Sequence, residues 1–175
     1  MYVPSVKLWL AGTPEAVVDD AVARISPWSQ VSSPAPGAVV QVQGPKAVSL
    51  YQASRAATYL ALSPNPPLLP GATIALEASC PEGLGSEEGF CAAMRGGAPW
   101  SAVLSGPAPT GPGAQRAVML ALLASRYRLV LYGVRDPGPF RAVGIEAHTT
   151  LAPAQPTWLR VPRPFQSLPQ WQPCA

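Results

Sequence analysis

Three polar side chains in the segment Leu50-Tyr51-Gln52-Ala53-Ser54-Arg55-Ala56 and just beyond it are spaced to act together. On a helix starting near Leu50, Gln52, Arg55 and Tyr59 fall at i, i+3 and i+7 and share one face. Leu50, Ala53, Ala57 and Leu60 fall on the other side, where they would meet a sheet. A guanidinium close to a helix start, beside backbone amides that lack an intrahelical acceptor, is suited to an anion. A carboxylate fits that description; an amphipathic helix carrying an exposed arginine and no ligand is the plainer alternative. A second stretch, Glu77-Ala78-Ser79-Cys80-Pro81-Glu82-Gly83-Leu84-Gly85, sets two acids, a thiol and two glycines ahead of another helix. Glycine allows positive φ and close backbone approach, so Gly83 and Gly85 read as turn formers. Glu82 is placed to hydrogen-bond a ligand or to order the loop, and the whole segment could equally be only a tight strand-to-helix turn. Cys80 reads as a small buried residue, because no histidine near it in sequence would activate it. The single histidine, His148, reads as a surface or structural residue.

These residues must be positioned by a chain of 175 residues, long enough for one domain with a real core. Strands are expected at Val6 to Ala11, Ala38 to Val42, Thr73 to Glu77, Arg128 to Tyr132, near Ala142 to Ile145, and at Thr157 to Val161. Helices are expected between them. Thr13-Pro14-Glu15 opens the first, with a hydroxyl cap, a proline where no amide is missed and an acid against the dipole. Val17, Val18, Ala21, Val22 and Ile25 would be its core face, and Pro27 would end it. Ser49 caps the helix from Leu50 to Leu62 after the break at Gly44-Pro45. Ser86-Glu87-Glu88 opens a third helix through Phe90, Cys91 and Met94, and a fourth spans about Ala114 to Ser125. Strands alternating with helices imply an α/β fold: a three-layer, mostly parallel sheet with helices on both faces, Rossmann-like in arrangement. Ligands of such sheets bind beyond the carboxyl ends of the strands, where both chemically suggestive segments would project. No GxGxxG follows any strand, so no dinucleotide site is read.

Composition excludes several function classes. The net charge of +3 comes from scattered arginines without a basic run or interleaved aromatics, which argues against nucleic acid. Cys80, Cys91 and Cys174 show no Cys-x-x-Cys spacing, and with one histidine they make neither a zinc site nor a disulfide framework. A reducing, cytoplasmic setting is therefore expected. No signal peptide is read, and the longest strongly apolar run, Ala117 to Ala124, is too short to cross a bilayer. The 23 prolines punctuate the connections and the tail from about residue 162 to 175.

In order, content and spacing, the two segments resemble the C-terminal domain of the nickel-pincer lactate racemase family. There the first motif reads roughly Leu-Tyr-Gln-x-x-Lys-Ala at the head of a helix, and the second roughly Ala-x-Cys-x-Glu-Gly-x-Gly after a strand. The resemblance extends diffusely to Leu159-Arg160-Val161-Pro162 and Ser167-Leu168-Pro169, so residues 1–175 read as a single domain of this kind. It implies that Gln52 and Arg55 line a substrate cleft, with Arg55 in place of a lysine that helps to hold the substrate carboxylate, and Tyr59 is read as substrate-binding from its place on the same helix face. It implies also that Glu82, Gly83 and Gly85 form a loop along that cleft, and that Ala114-Gln115-Arg116 borders it. Ala47 and Ser49 depart from the family pattern, which has an acid and an amide there. The family's N-terminal cofactor-binding domain, with the histidines that serve as acid and base, has no counterpart in the sequence. The resemblance thus implies one wall of a 2-hydroxy-acid racemase or epimerase site, completed by a separate partner of N-terminal type. No cofactor is expected in the isolated chain, and the nickel-pincer nucleotide would come with the partner. The chain would be inactive alone, and no nucleic-acid or membrane partner is expected. A non-catalytic descendant that binds a small carboxylate or other anion, or a piece of a longer enzyme, are the alternatives.

Overall fold

Alternating apolar runs and capped helices produce a parallel sheet wound by short crossovers. The computed structural model describes residues 2–3, 8–25, 33–63, 65–97, 100–162, 164–165 and 172–173. Strands β1 (Tyr2–Val3) and β2 (Leu8–Trp9) pair antiparallel as a small separate ribbon and do not join the main sheet, where the first expected strand would have lain. Helix α1 (Pro14–Ile25) follows, with the Ala16 amide donating to Thr13 Oγ1. The main sheet contains β3 (Ala35–Gln41), β4 (Leu68–Glu77), β5 (Arg128–Tyr132), β6 (Glu146–Ala147), β7 (Leu159–Val161) and β8 (Gln172–Pro173). Its spatial order is β6-β5-β4-β3-β7-β8, parallel throughout except for β8 at the edge. This is the α/β architecture expected from the sequence.

Between β3 and β4 runs α2 (Leu50–Ala61); between β4 and β5 run α3 (Glu88–Met94), α4 (Ser101–Ser105) and α5 (Ala114–Ala124); α6 (Gly138–Arg141) precedes β6. Helices α2, α3 and α4 all pack on α5 or on its neighbours. The core lies where they meet the sheet: Val40, Leu50, Ala53, Ala57, Ile74, Leu76, Phe90, Leu120, Leu123 and Leu131 are buried. Val39, Ala75 and Val130 alternate with these along the strands and are buried too, so both faces of the sheet are covered.

Several boundaries differ from the sequence expectation, each for a local reason. β4 starts five residues early, at Leu68, because the β3–β4 register shifts between Ala35 and Gly37 and lets the strand absorb Pro70 and Gly71. Residues 142–145 are not a strand: they turn out of α6 by backbone bonds from Val143 and Ile145 to the Phe140 carbonyl, and the strand begins at Glu146. Of the valines and alanine expected on the core face of α1, Ala21 is buried and Val17 half-buried, whereas Val18 and Val22 are 55% and 52% exposed. The helix leans on one narrow stripe instead of the wide face its valines suggest. The short helix α4 was not expected; it is anchored by Trp100, whose indole nitrogen donates to the Val143 carbonyl at 3.0 Å. Val6, Lys7, Pro27, Pro64, Cys174 and residues 167–169 lie outside the described residues.

Helix α3 approaches the backbone ahead of α5 unusually closely. The Gly89 and Phe90 amides both donate to the Pro112 carbonyl, and a Cβ at Gly89 would lie 2.6 Å from the Thr110 oxygen and 2.7 Å from Gly111. Alanine gains up to about 1 kcal/mol over glycine in a helix. Here the contact is backbone, which cannot swing aside, so the steric cost dominates. Gly89→Ala is expected to lower unfolding stability by roughly 1–3 kcal/mol, measured by denaturant titration; an increase would contradict the close approach.

Candidate functional site

The two sequence segments meet in a backbone joint. The Cys80 amide donates to the Ala47 carbonyl at 2.8 Å and the Glu82 amide to the Val48 carbonyl at 2.9 Å. In return the Leu50 and Tyr51 amides donate to the Gly83 and Leu84 carbonyls at 2.9 and 3.0 Å. The Ser79 hydroxyl adds a bond to the Ala47 carbonyl. Residues 80–84 reverse direction tightly enough to do this because Cys80, Gly83 and Gly85 adopt φ of 41°, 61° and 115°. The loop of Glu82, Gly83 and Gly85 thus fastens onto the head of α2, and both segments lie beyond the carboxyl ends of β3 and β4.

The joint corrects one expectation. The amides at the start of α2 are not free for an anion: those of Leu50 and Tyr51 are bound by the loop, that of Gln52 by Ser49 Oγ and that of Ala53 by the Ser49 carbonyl. Any anion on this face is therefore held by side chains.

Those side chains lie as the helical spacing requires. Leu50, Ala53, Ala57 and Leu60 are buried, Gln52 and Arg55 are half-buried, and Tyr59 is 59% exposed. Tyr59 contacts Phe165 edge to face, its ring centroid 6.1 Å away. Lys46 Nζ donates to Gln52 Oε1 at 3.4 Å, bringing a further cation to the head of the helix. The Arg55 guanidinium lies over the Tyr51 ring, 5.4 Å from its centroid, and donates to the Tyr51 hydroxyl at 3.4 Å. Arg116, in the first turn of α5, reaches the same helix and donates to Thr58 Oγ1 at 2.9 Å, while the Thr58 hydroxyl donates to the Arg55 backbone carbonyl. Burial, and next the nearby Arg55 charge, push the Arg116 pKa below its ordinary value. The sequence places Arg116 at a helix start; its meeting with Arg55 depends on how α5 packs against α2.

The other suggestive residues lie elsewhere. Glu82 is exposed and orders the loop through its backbone. Glu77 accepts from Gln41 at 2.8 Å and from the Ala152 amide at 2.9 Å, tying together three segments at the carboxyl edge. Cys80 is buried, and burial pushes its thiol up to about 12, which keeps it protonated at neutral pH. Cys91 is buried and donates to the Gly85 carbonyl. His148 stacks on Tyr132 and contacts Glu146 at 3.0 Å; Arg128 pairs with the same carboxylate. The His148 hydrogen bond, followed by that of Arg128, holds Glu146 below the usual carboxylate range. Among the described residues no group of three histidine, cysteine, aspartate or glutamate side chains could hold a metal ion. No helix among them is long and apolar enough to cross a membrane.

A hollow of about 330 Å³, lined by Trp100, Leu104, Ala121, Tyr127 and Ile145 among others, opens near the amino end of β5. It is mostly apolar and lies at the opposite edge of the sheet from the joint. The convergence of cations makes the α2–α5 face the better candidate.

Comparison with solved structures bears on this geometry. The structure of the lactate racemase apoprotein from Thermoanaerobacterium thermosaccharolyticum matches with a TM-score of 0.61 and 18% identity, over 85% of this chain and 37% of that one. The chain has the fold of part of a lactate racemase. The lactate racemase resemblance stated from the two segments is thus matched by the fold, over little more than a third of the racemase's length. No family model matches, and no curated protein does.

The two glycines of the loop differ in a testable way. A Cβ at Gly83 would meet only Pro139, at 4.0 Å, so Gly83→Ala carries the left-handed strain alone, about 1–2 kcal/mol. At Gly85 it would lie 2.9 Å from Glu87 Oε2 and 3.2 Å from both Ser49 Oγ and Tyr51 Cβ, at a less favourable φ. Gly85→Ala is expected to cost more, roughly 2–4 kcal/mol. Denaturant midpoints of the two variants check the order, which a loosely seated loop would abolish.

Proposed function

We propose that this chain forms one wall of a 2-hydroxy-acid racemase or epimerase site, completed by a separate partner of N-terminal type. The observation that carries the reading is the α2 face. Gln52, Arg55 and Tyr59 lie on one side of a helix whose head is clamped beyond the carboxyl edge of a parallel sheet, in a fold like part of a lactate racemase. Arg55 would hold the substrate carboxylate through its guanidinium fork, and Gln52 would offer an amide to the hydroxyl or carboxylate. The backbone joint would keep that wall rigid while a partner closes over it.

Among the described residues no group of side chains fits a catalytic metal. The chain's one histidine is engaged with Glu146 and Tyr132 on the β5–β6 side, and removing and returning a proton on two faces of a carbon needs groups on both sides. The nickel-pincer nucleotide of the resembling family, and its acid and base, would belong to the partner. A second reading, a non-catalytic module that binds a small carboxylate or other anion, is favoured by the replacement of lysine by Arg55 and by the absence of an acid at Ala47. Both readings require the same anchor and part only over the partner.

Titrating the chain with D- and L-lactate, followed by amide and side-chain NMR shifts, tests the anchor. Shifts are expected at Gln52, Arg55 and Tyr59. Arg55→Ala should weaken binding by roughly 1.5–3 kcal/mol, the loss of a charged hydrogen bond. Unchanged affinity in that variant would remove Arg55 from the site and this reading with it.

A further inference from the structure

The Arg55 and Arg116 side chains come from different helices onto α2: the Arg55 guanidinium donates to the Tyr51 hydroxyl, and the Arg116 guanidinium donates to the Thr58 hydroxyl, which itself donates to the Arg55 backbone carbonyl. The Nε atoms of both are buried and have no hydrogen-bond partner. Among the described residues neither guanidinium is in a salt bridge; the ion pairs there are Arg24–Asp20, Arg128–Glu146 and His148–Glu146. Lys46, bonded to Gln52, adds a third positive charge near the head of the helix. Among the described residues the groups that meet the two guanidiniums are neutral: the Tyr51 ring and hydroxyl and the Thr58 hydroxyl.

Two like charges with buried, unmatched donors and no acid beside them is an unfavourable arrangement for a protein at rest. An anion relieves it in two ways at once: it offsets the repulsion, and it accepts from the outer nitrogens of the planar forks, which suit carboxylate and phosphate oxygens. A single carboxylate satisfies one fork. An anion with two negative charges satisfies both.

We propose that Arg55 and Arg116 form a two-guanidinium clamp, in which Arg116 is a specificity-determining residue that selects a small doubly charged anion over a monocarboxylate. This deepens the reading of the α2 face and rests on it for the role of Arg55, while the pairing of Arg116 with α2 comes from the geometry. The chemistry is shared by a dicarboxylate and by a phosphate group, so both serve as probes.

Calorimetric titration at pH 8 and constant ionic strength, with lactate, succinate and inorganic phosphate, compares the wild-type chain with Arg116→Gln and Arg116→Lys. Succinate or phosphate should bind about tenfold tighter than lactate, the factor expected from one added charged hydrogen bond. Arg116→Gln should remove that preference, weakening succinate and phosphate more than lactate, whereas Arg116→Lys, which keeps the charge and loses the fork, should retain part of it. A preference for succinate alone identifies two separated carboxylates as the ligand chemistry, and for phosphate alone a compact tetrahedral dianion. Lactate binding with no preference for either dianion, or a preference that survives in Arg116→Gln, overturns the clamp and leaves the hydroxy-acid wall standing. A preference for dianions without lactate binding supports the clamp and removes the hydroxy-acid reading. Binding of none of the three overturns both.

Discussion

Backbone hydrogen bonds between residues 47–51 and 80–84 are the constraint on which the candidate site depends. A loop leaving β4 and the connection leaving β3 exchange amides and carbonyls in both directions, from Cys80 and Glu82 one way and from Leu50 and Tyr51 the other. Each net bond contributes only about 0.5–1.5 kcal/mol. Their joint effect is geometric: the first turn of α2 has no freedom to tilt unless the loop unfastens, and every side chain on that helix inherits its position from the joint. Gly85 sits against Ser49, Tyr51 and Glu87 at the same point, so the loop is packed as well as bonded.

The joint also decides how this edge of the sheet can attract an anion. A helix start ordinarily offers unpaired amides and the positive end of the dipole. Here the loop carbonyls and Ser49 occupy those amides, and the positive potential passes to Lys46, Arg55 and Arg116. Side-chain charges can be placed and exchanged by substitution in a way that backbone amides cannot. Arg55 is braced by Tyr51 and Arg116 by Thr58, both on α2, so the helix that the loop fastens in turn orients the cations.

The α/β pattern, the Ser49 cap, the span of α2, and the strand Arg128–Tyr132 were legible because each is written in local terms: a hydroxyl before an amphipathic run, or a β-branched and aromatic run before a break. The buried and outward faces of α2 followed from its period. Where packing decides, the sequence was silent or misleading. Val18 and Val22 repeat at helical spacing, yet they are exposed, since nothing in a period says how wide a stripe the neighbours will cover. The amides of α2 looked free because their acceptors lie some thirty residues away, at Gly83 and Leu84. Cys80 at positive φ would not be read from its type, since such conformations belong mainly to glycine and asparagine. The meeting of Arg55 with Arg116 spans two helices and appears only when α5 is packed on α2.

The central claim is that the two segments act as one rigid unit, and amide hydrogen exchange tests it most directly. The amides of Leu50, Tyr51, Cys80 and Glu82 are predicted to be protected to the level of the β3 and β4 core amides of Val40 and Leu76, and to open with them under mild denaturant. Exchange of Cys80 and Glu82 at the rate of an exposed loop, while Val40 and Leu76 stay protected, would contradict the account.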